Sequence, residues 1–262
     1  MRLATTLLSL ALCALTMAQG SAELSLTPAQ AQRIGQRLWK NECAGTVEGL
    51  TSWNKGEAFP SLGIGHFIWY PKGVPLTFQE SFPAMIRHLE SRGANAPSWV
   101  ADTRHCPWPS RASFLGEING PRLKSLRSYL AKTVGLQAEF AALRARQALP
   151  KMLNAAPAAQ RAELRRRYDA VATTPQGVYA LVDYVNFKGE GTNPAERYQG
   201  QGWGLLQVLQ EMKPTPPGPA AAKQFSTAAK RVLARRIALA PRPEAQWRAG
   251  WFSRCDSYGW PF

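Results

Sequence analysis

Thr27-Pro28 opens the first readable element, because a threonine hydroxyl accepts from the free N–H groups of a first helical turn and proline at the first helical position gives up no hydrogen bond. Ala31, Ile34 and Leu38 then recur at helical spacing. From Leu50 to Tyr70 the pattern changes. Trp53-Asn-Lys-Gly-Glu57 is turn chemistry between short apolar runs, and Ser61 to Tyr70 is aromatic, β-branched and punctuated by glycine, which predicts a small β-hairpin or three-stranded sheet. Beyond Leu76 the periodicity is helical. It predicts helices over Gln79–Ser91, Ser113–Gly116, Arg122–Thr133, Gln137–Leu153, Ala158–Ala172, Gln176–Phe187, Gly204–Met212, Ser226–Leu239 and Glu244–Ser253. Pro214 to Pro219 reads as an extended loop, and no internal repeat is present. The expected fold class is α+β, mostly α-helical, with one small sheet near the amino-terminal end and a helical bundle.

Composition narrows the partners. Of 262 residues, 45% are hydrophobic and 19% charged, which excludes a disordered chain. Lys and Arg number 32 against 17 Asp and Glu, a formal charge of +15, and so strong a basic balance points to a polyanion: nucleic acid, an anionic membrane surface or an acidic wall polymer. The start of the chain separates these. Met1-Arg2 is followed by an uncharged apolar run from Leu3 to Met17 and by small residues from Ala18 to Ala22, the pattern of a secretory signal peptide over residues 1–22. The expectation is an exported protein, periplasmic or extracellular, with residues 23–262 as a single domain. Cleavage removes only Arg2 among the charges, stable membrane insertion is not expected afterwards, and nucleic acid is disfavoured as a partner. Cys43, Cys106 and Cys255 remain, and in an oxidising compartment they allow one disulfide and one free thiol without saying which pair. No CxxC and no HExxH spacing occurs, so no metal or other cofactor is expected.

Glu42 carries the candidate chemistry. On a helical wheel Ile34, Leu38 and Glu42 fall within about 80° of one another, so this carboxyl extends the apolar stripe rather than the solvated face. It also falls at the carboxyl end of the helix, where the macrodipole disfavours negative charge. A partly desolvated carboxylic acid in such a place is suited to general acid catalysis on an acetal oxygen, while a glutamate beyond the last turn and solvated is the plain alternative.

Glu42, the turn ending at Glu57, and Ser61-Leu-Gly-Ile-Gly-His66 together resemble the bacteriophage-type lysozymes, in which a glutamate ends the first helix and a hairpin leads into a Thr-Ile-Gly-Ile-Gly-His-like strand. The resemblance resumes in the same order at Ala180 to Gly191, a helix and Gly-rich turn, at Leu205-Leu206-Gln207, and in the basic helix Ala229 to Arg236. It covers about half of the chain past residue 22, leaving Gly73 to Thr174, an additional helical insertion, and Pro214 to Lys223 without a counterpart. The resemblance implies a lysozyme-like fold that cleaves the β-1,4-linked amino-sugar backbone of peptidoglycan, with Glu42 as proton donor to the glycosidic oxygen. Ser61 occupies the family's water-holding hydroxyl position. The family's second acid falls on Lys55, however, and the spacer from Glu42 to Ser61 is four residues longer than in the phage enzymes. An inverting hydrolase needs a second carboxylate roughly 6.5–9.5 Å from the first. Glu57 is the natural substitute and Glu48 a weaker one. With neither in place, a lytic transglycosylase is favoured, in which one glutamate acts as acid and then as base.

Further binding candidates come from residue type. Gly63 and Gly65 would let a sugar approach the backbone, and His66 reads as a hydrogen-bonding residue behind the strand. Asn186 lies at the edge of an apolar helical stripe. Tyr198, Gln199, Gln201 and Trp203 combine aromatic faces and amides beside glycines, a composition suited to a polysaccharide groove. Two other classes of function compete: a non-catalytic glycan-binding protein, motivated by Lys55, and a secreted protein that binds anionic polymer through Arg165-Arg-Arg167, Lys230-Arg231 and Arg235-Arg236.

Overall fold

The computed structural model describes residues 26–261; the expected signal peptide lies outside the described residues. Helix α1 (Pro28–Cys43) starts where the sequence requires. The Thr27 hydroxyl accepts from the Gln30 N–H while the Gln30 side chain accepts from the Thr27 N–H, a reciprocal cap. It ends on Ala44 in the left-handed region, φ 53°. Three two-residue strands follow, β1 (Thr51–Ser52), β2 (Ser61–Leu62) and β3 (Phe67–Ile68), antiparallel in the order β1-β2-β3. Thr51 pairs with Leu62, and Ser61 with both Ser52 and Ile68.

The rest is helical: α2 (Phe82–Ser91), α3 (Ser98–Ala101), α4 (Arg111–Gly116), α5 (Pro121–Lys132), α6 (Val134–Ala155), α7 (Ala158–Ala172) and α8 (Pro175–Lys188). A second hairpin of β4 (Arg197–Tyr198) and β5 (Gln201–Gly202) leads into α9 (Leu205–Glu211), α10 (Pro219–Leu239) and α11 (Arg248–Asp256). The expected mostly helical α+β class is therefore what the chain adopts. Among the described residues no helix is long and apolar enough to cross a membrane.

Helix α6 organises the molecule. It packs along α1 on one side and against α2, α7 and α8 on others, and Ala138, Ala141, Ala142, Ala145 and Ala148 keep its buried surface narrow so that neighbours approach closely. One cluster of buried residues runs from Ile34 and Leu38 through the sheet and on to Tyr258, and it includes Phe82, Trp108, Leu126 and Tyr168. The segment 73–174 thus shares a core with the rest of the chain. Cys43, Cys106 and Cys255 are three free, buried thiols. The disulfide that the sequence allowed is absent among the described residues, and burial pushes all three thiols up to about 12.

Candidate active site

Glu42 sits on the last turn of α1, with its side chain only 13% exposed. Three segments distant in sequence converge on it. From α8, Asn186 Nδ2 donates to Glu42 Oε1 at 3.2 Å. From α11, Arg254 Nη2 donates to the same oxygen. From the turn between β2 and β3, His66 Nδ1 lies 3.3 Å from Oε2. The carboxyl that the sequence places beside an apolar stripe is thus ion-paired, not alone among hydrocarbon. One oxygen is saturated by two N–H donors and the other meets only the imidazole.

Arg254 is fixed in turn. Its Nε and Nη2 donate to the two carboxylate oxygens of Asp183 at 2.7 and 2.9 Å, and its guanidinium lies 4.1 Å over the Phe187 ring. Asp183 is fully buried and also accepts from Asn41 Nδ2 at 3.0 Å and from the Tyr258 hydroxyl at 2.6 Å. Burial opposes the charge on Arg254, but Asp183 and Glu42 outweigh it and hold the guanidinium well above its ordinary value. Neither Arg254 nor Asp183 is a sequence candidate. The available signal was Asp183 itself, an ionisable residue within the apolar run Ala180–Val185.

The hairpin turn is anchored from beneath by Gln137 of α6, a fully buried side chain. Its Oε1 accepts from the Ile64 N–H at 3.0 Å, and its Nε2 donates to the Leu130 carbonyl at 2.7 Å and to Thr133 Oγ1 at 3.1 Å. This explains Gly63 better than sugar approach does. Its φ is +73°, and a Cβ there would come 2.5 Å from Gln137 Oε1. Gly65 lines the cleft, but a Cβ on it would meet the Phe67 ring at 2.7 Å and Asn186 Oδ1 at 3.3 Å, so protein neighbours alone forbid a larger residue. His66 holds φ 49°, which carries its ring over the turn toward Glu42.

Glu42, Gly65, His66 and Asn186 line one cleft of about 260 Å³, together with Ile68, Phe78, Ser81, Val185 and Arg144. Glu42 is the single carboxylate among the lining residues. Glu57 stays within its own turn, where its Oε2 accepts from Asn54 Nδ2 at 3.2 Å and its carbonyl from Trp53 Nε1 at 2.8 Å. Glu48 is exposed on a short 3-10 turn. Ser61 is 5% exposed and lies outside the lining, although its cross-strand partner Ile68 belongs to it.

Tyr198, Gln199, Gln201 and Trp203 lie elsewhere. Gln199 and Gly200 have φ of 48° and 77°, the two-residue turn with both residues at positive φ that joins β4 to β5. Gln199 and Gln201 are exposed. Trp203 is 8% exposed, 4.5 Å from the Tyr198 ring and under the Arg236 guanidinium at 4.1 Å. The Tyr198 hydroxyl and Arg236 both bind Glu244. These aromatics stack on protein rather than offering faces to a groove.

No protein-family model, curated protein or solved structure matches the chain. What the cleft does has to be read from its own geometry.

Proposed function

We propose that this protein is an exported glycosidase that cleaves the β-1,4-linked amino-sugar backbone of peptidoglycan in a lysozyme-like fold, with Glu42 as the acid. The observation that carries the reading is the asymmetric seating of Glu42 in a cleft. Oε1 is occupied by Asn186 and Arg254, which leaves Oε2 as the oxygen able to carry and deliver a proton. The lone carboxylate of the cleft supports the single-glutamate route. Glu42 protonates the glycosidic oxygen as the bond from C1 breaks. As carboxylate it then takes the proton of the sugar's own 6-hydroxyl while that oxygen bonds to C1, which closes a 1,6-anhydro ring and restores the acid. Export rests on residues 1–22, the anionic envelope being the partner that the strongly basic balance left after cleavage would favour.

Glu42→Gln keeps the shape and the hydrogen-bonding oxygen but cannot donate the acid proton. It is expected to release at least about 100-fold less soluble muropeptide while melting as the unchanged protein does. Mass spectrometry of the products is expected to show 1,6-anhydro ends; reducing ends would replace transglycosylation with hydrolysis, and an active Glu42→Gln would overturn the assignment. A second reading, a glycan-binding protein without activity, is favoured by Lys55 at the expected acid position and by the Arg254 ion pair. It requires co-sedimentation with peptidoglycan and no soluble product.

A further inference from the structure

Helix α6 presents three polar residues seven apart, Gln137, Arg144 and Lys151, along one face. The outer two are engaged. Gln137 holds the hairpin through the Ile64 N–H, and Lys151 Nζ binds Glu190 Oε1 at 3.0 Å in the turn after α8. The middle one lines the Glu42 cleft with Asn186, Gln79 and Ser81. Among the described residues Arg144 donates no hydrogen bond and forms no ion pair; its nearest electrostatic influence is Glu190, already committed to Lys151. By contrast Arg127 donates to Thr51 Oγ1, Arg236 to Glu244 and Arg254 to Asp183. The Arg144 side chain is partly buried against the cleft wall, and that burial lowers its guanidinium from its ordinary value while Glu190 opposes the shift.

We propose that Arg144 is the carboxylate-binding residue of this cleft and selects glycan strands whose sugars bear an acidic substituent over uncharged strands of the same backbone. A planar fork of N–H donors matches a carboxylate two bonds at a time. The inference rests on the glycan-cleaving reading. Within it the amino-sugar backbone is neutral, so the carboxylate belongs either to the lactyl ether of the sugar or to the peptide attached there.

The test compares kcat/KM on four substrates: strands with stem peptides, strands stripped of peptide by an amidase so that the lactyl carboxylate is free, and each of these two with its carboxyls converted to methylamides. The unchanged protein is expected to prefer acidic over amidated strands by about tenfold or more, the size of a charge-assisted hydrogen bond. In Arg144→Gln and Arg144→Met the preference is expected to fall to within about twofold, and in Arg144→Lys to return in part. A preference confined to stripped strands identifies the lactyl group; one confined to peptide-bearing strands identifies the peptide. Indifference of the unchanged protein to amidation overturns the proposal without any variant having to fold. So does an Arg144→Gln protein that loses rate equally on acidic and amidated strands. Failure of the unchanged protein to cleave any strand overturns instead the glycan-cleaving reading on which the proposal stands.

Discussion

Asp183 shows how the site is held at the level of single side chains. A carboxylate with no exposed surface is tolerated because Arg254, Asn41 and Tyr258 supply its hydrogen bonds. Removing the cation leaves a buried charge uncompensated, so Arg254→Ala is expected to lower stability by about 3–5 kcal/mol in urea denaturation. Arg254→Lys keeps the charge but not the two-pronged contact and is expected to fall between. An Arg254→Ala protein as stable as the original would mean that Asp183 is held by its neutral partners alone. Glu42 was legible in sequence because it continues a helical stripe. Asn186 and His66 were candidates by residue type, but Arg254 was not: it lies 212 positions away, and no local periodicity encodes which distant donors meet one carboxyl. The Tyr198–Trp203 cluster misled for the related reason that aromatic composition is the same whether a ring faces a ligand or an arginine.

Helices were the legible elements. Ala158–Ala172 is predicted and observed with the same bounds, and most others agree within a few residues, because apolar spacing of three and four is written into each segment. Helix α10 begins at Pro219, seven residues before the predicted Ser226, since Ala220 to Ala222 offer no amphipathic contrast to read. Strands of two residues are too short to show alternation, so β4 and β5 are not legible, and the first sheet is legible only through its turn chemistry, aromatic and β-branched content and glycine punctuation. The join between that sheet and α6 is also invisible in sequence, being one buried amide. Gly63→Ala forces a Cβ at φ +73° into Gln137 Oε1 and is expected to cost about 2–3 kcal/mol of stability. If the clash is the cause, combining it with Gln137→Ala will cost less than the sum of the two single changes. Strict additivity would place the strain in the turn alone.

At the scale of the whole molecule, charge is arranged rather than merely abundant. The basic runs that suggested polymer binding are largely tied to local acids: Arg166 and Arg167 to Glu163, Arg231 and Arg235 to Glu211, Lys230 to Asp256. Lys188, at the end of α8, lies 3.5 Å from the centre of the Trp251 ring, and burial together with Arg236 and Arg254 lowers its ammonium to about 7. A lysine lowered from 10.5 to about 7 binds fewer protons in the folded than in the unfolded chain across that interval, so it makes stability rise with pH there. The thiols, raised from 9.0 to about 12, act in the opposite sense above pH 9. Urea midpoints are therefore expected to climb from pH 7 to 9, and Lys188→Met to flatten the climb. A flat profile in the original protein would contradict the burial assigned to this amine.

Three thiols sealed in the interior give the chain a different relation to its surroundings from that of a cross-linked secreted domain. Its tertiary structure can be completed without an oxidant or an exchange catalyst, and the finished fold is indifferent to whether its compartment is reducing. The same shell that keeps these sulfurs from pairing with one another also keeps them from glutathione, peroxide and metal ions. Stability then rests on one continuous core from α1 to Tyr258 rather than on a covalent cross-link, and each sulfur becomes reactive only where the packing around it opens.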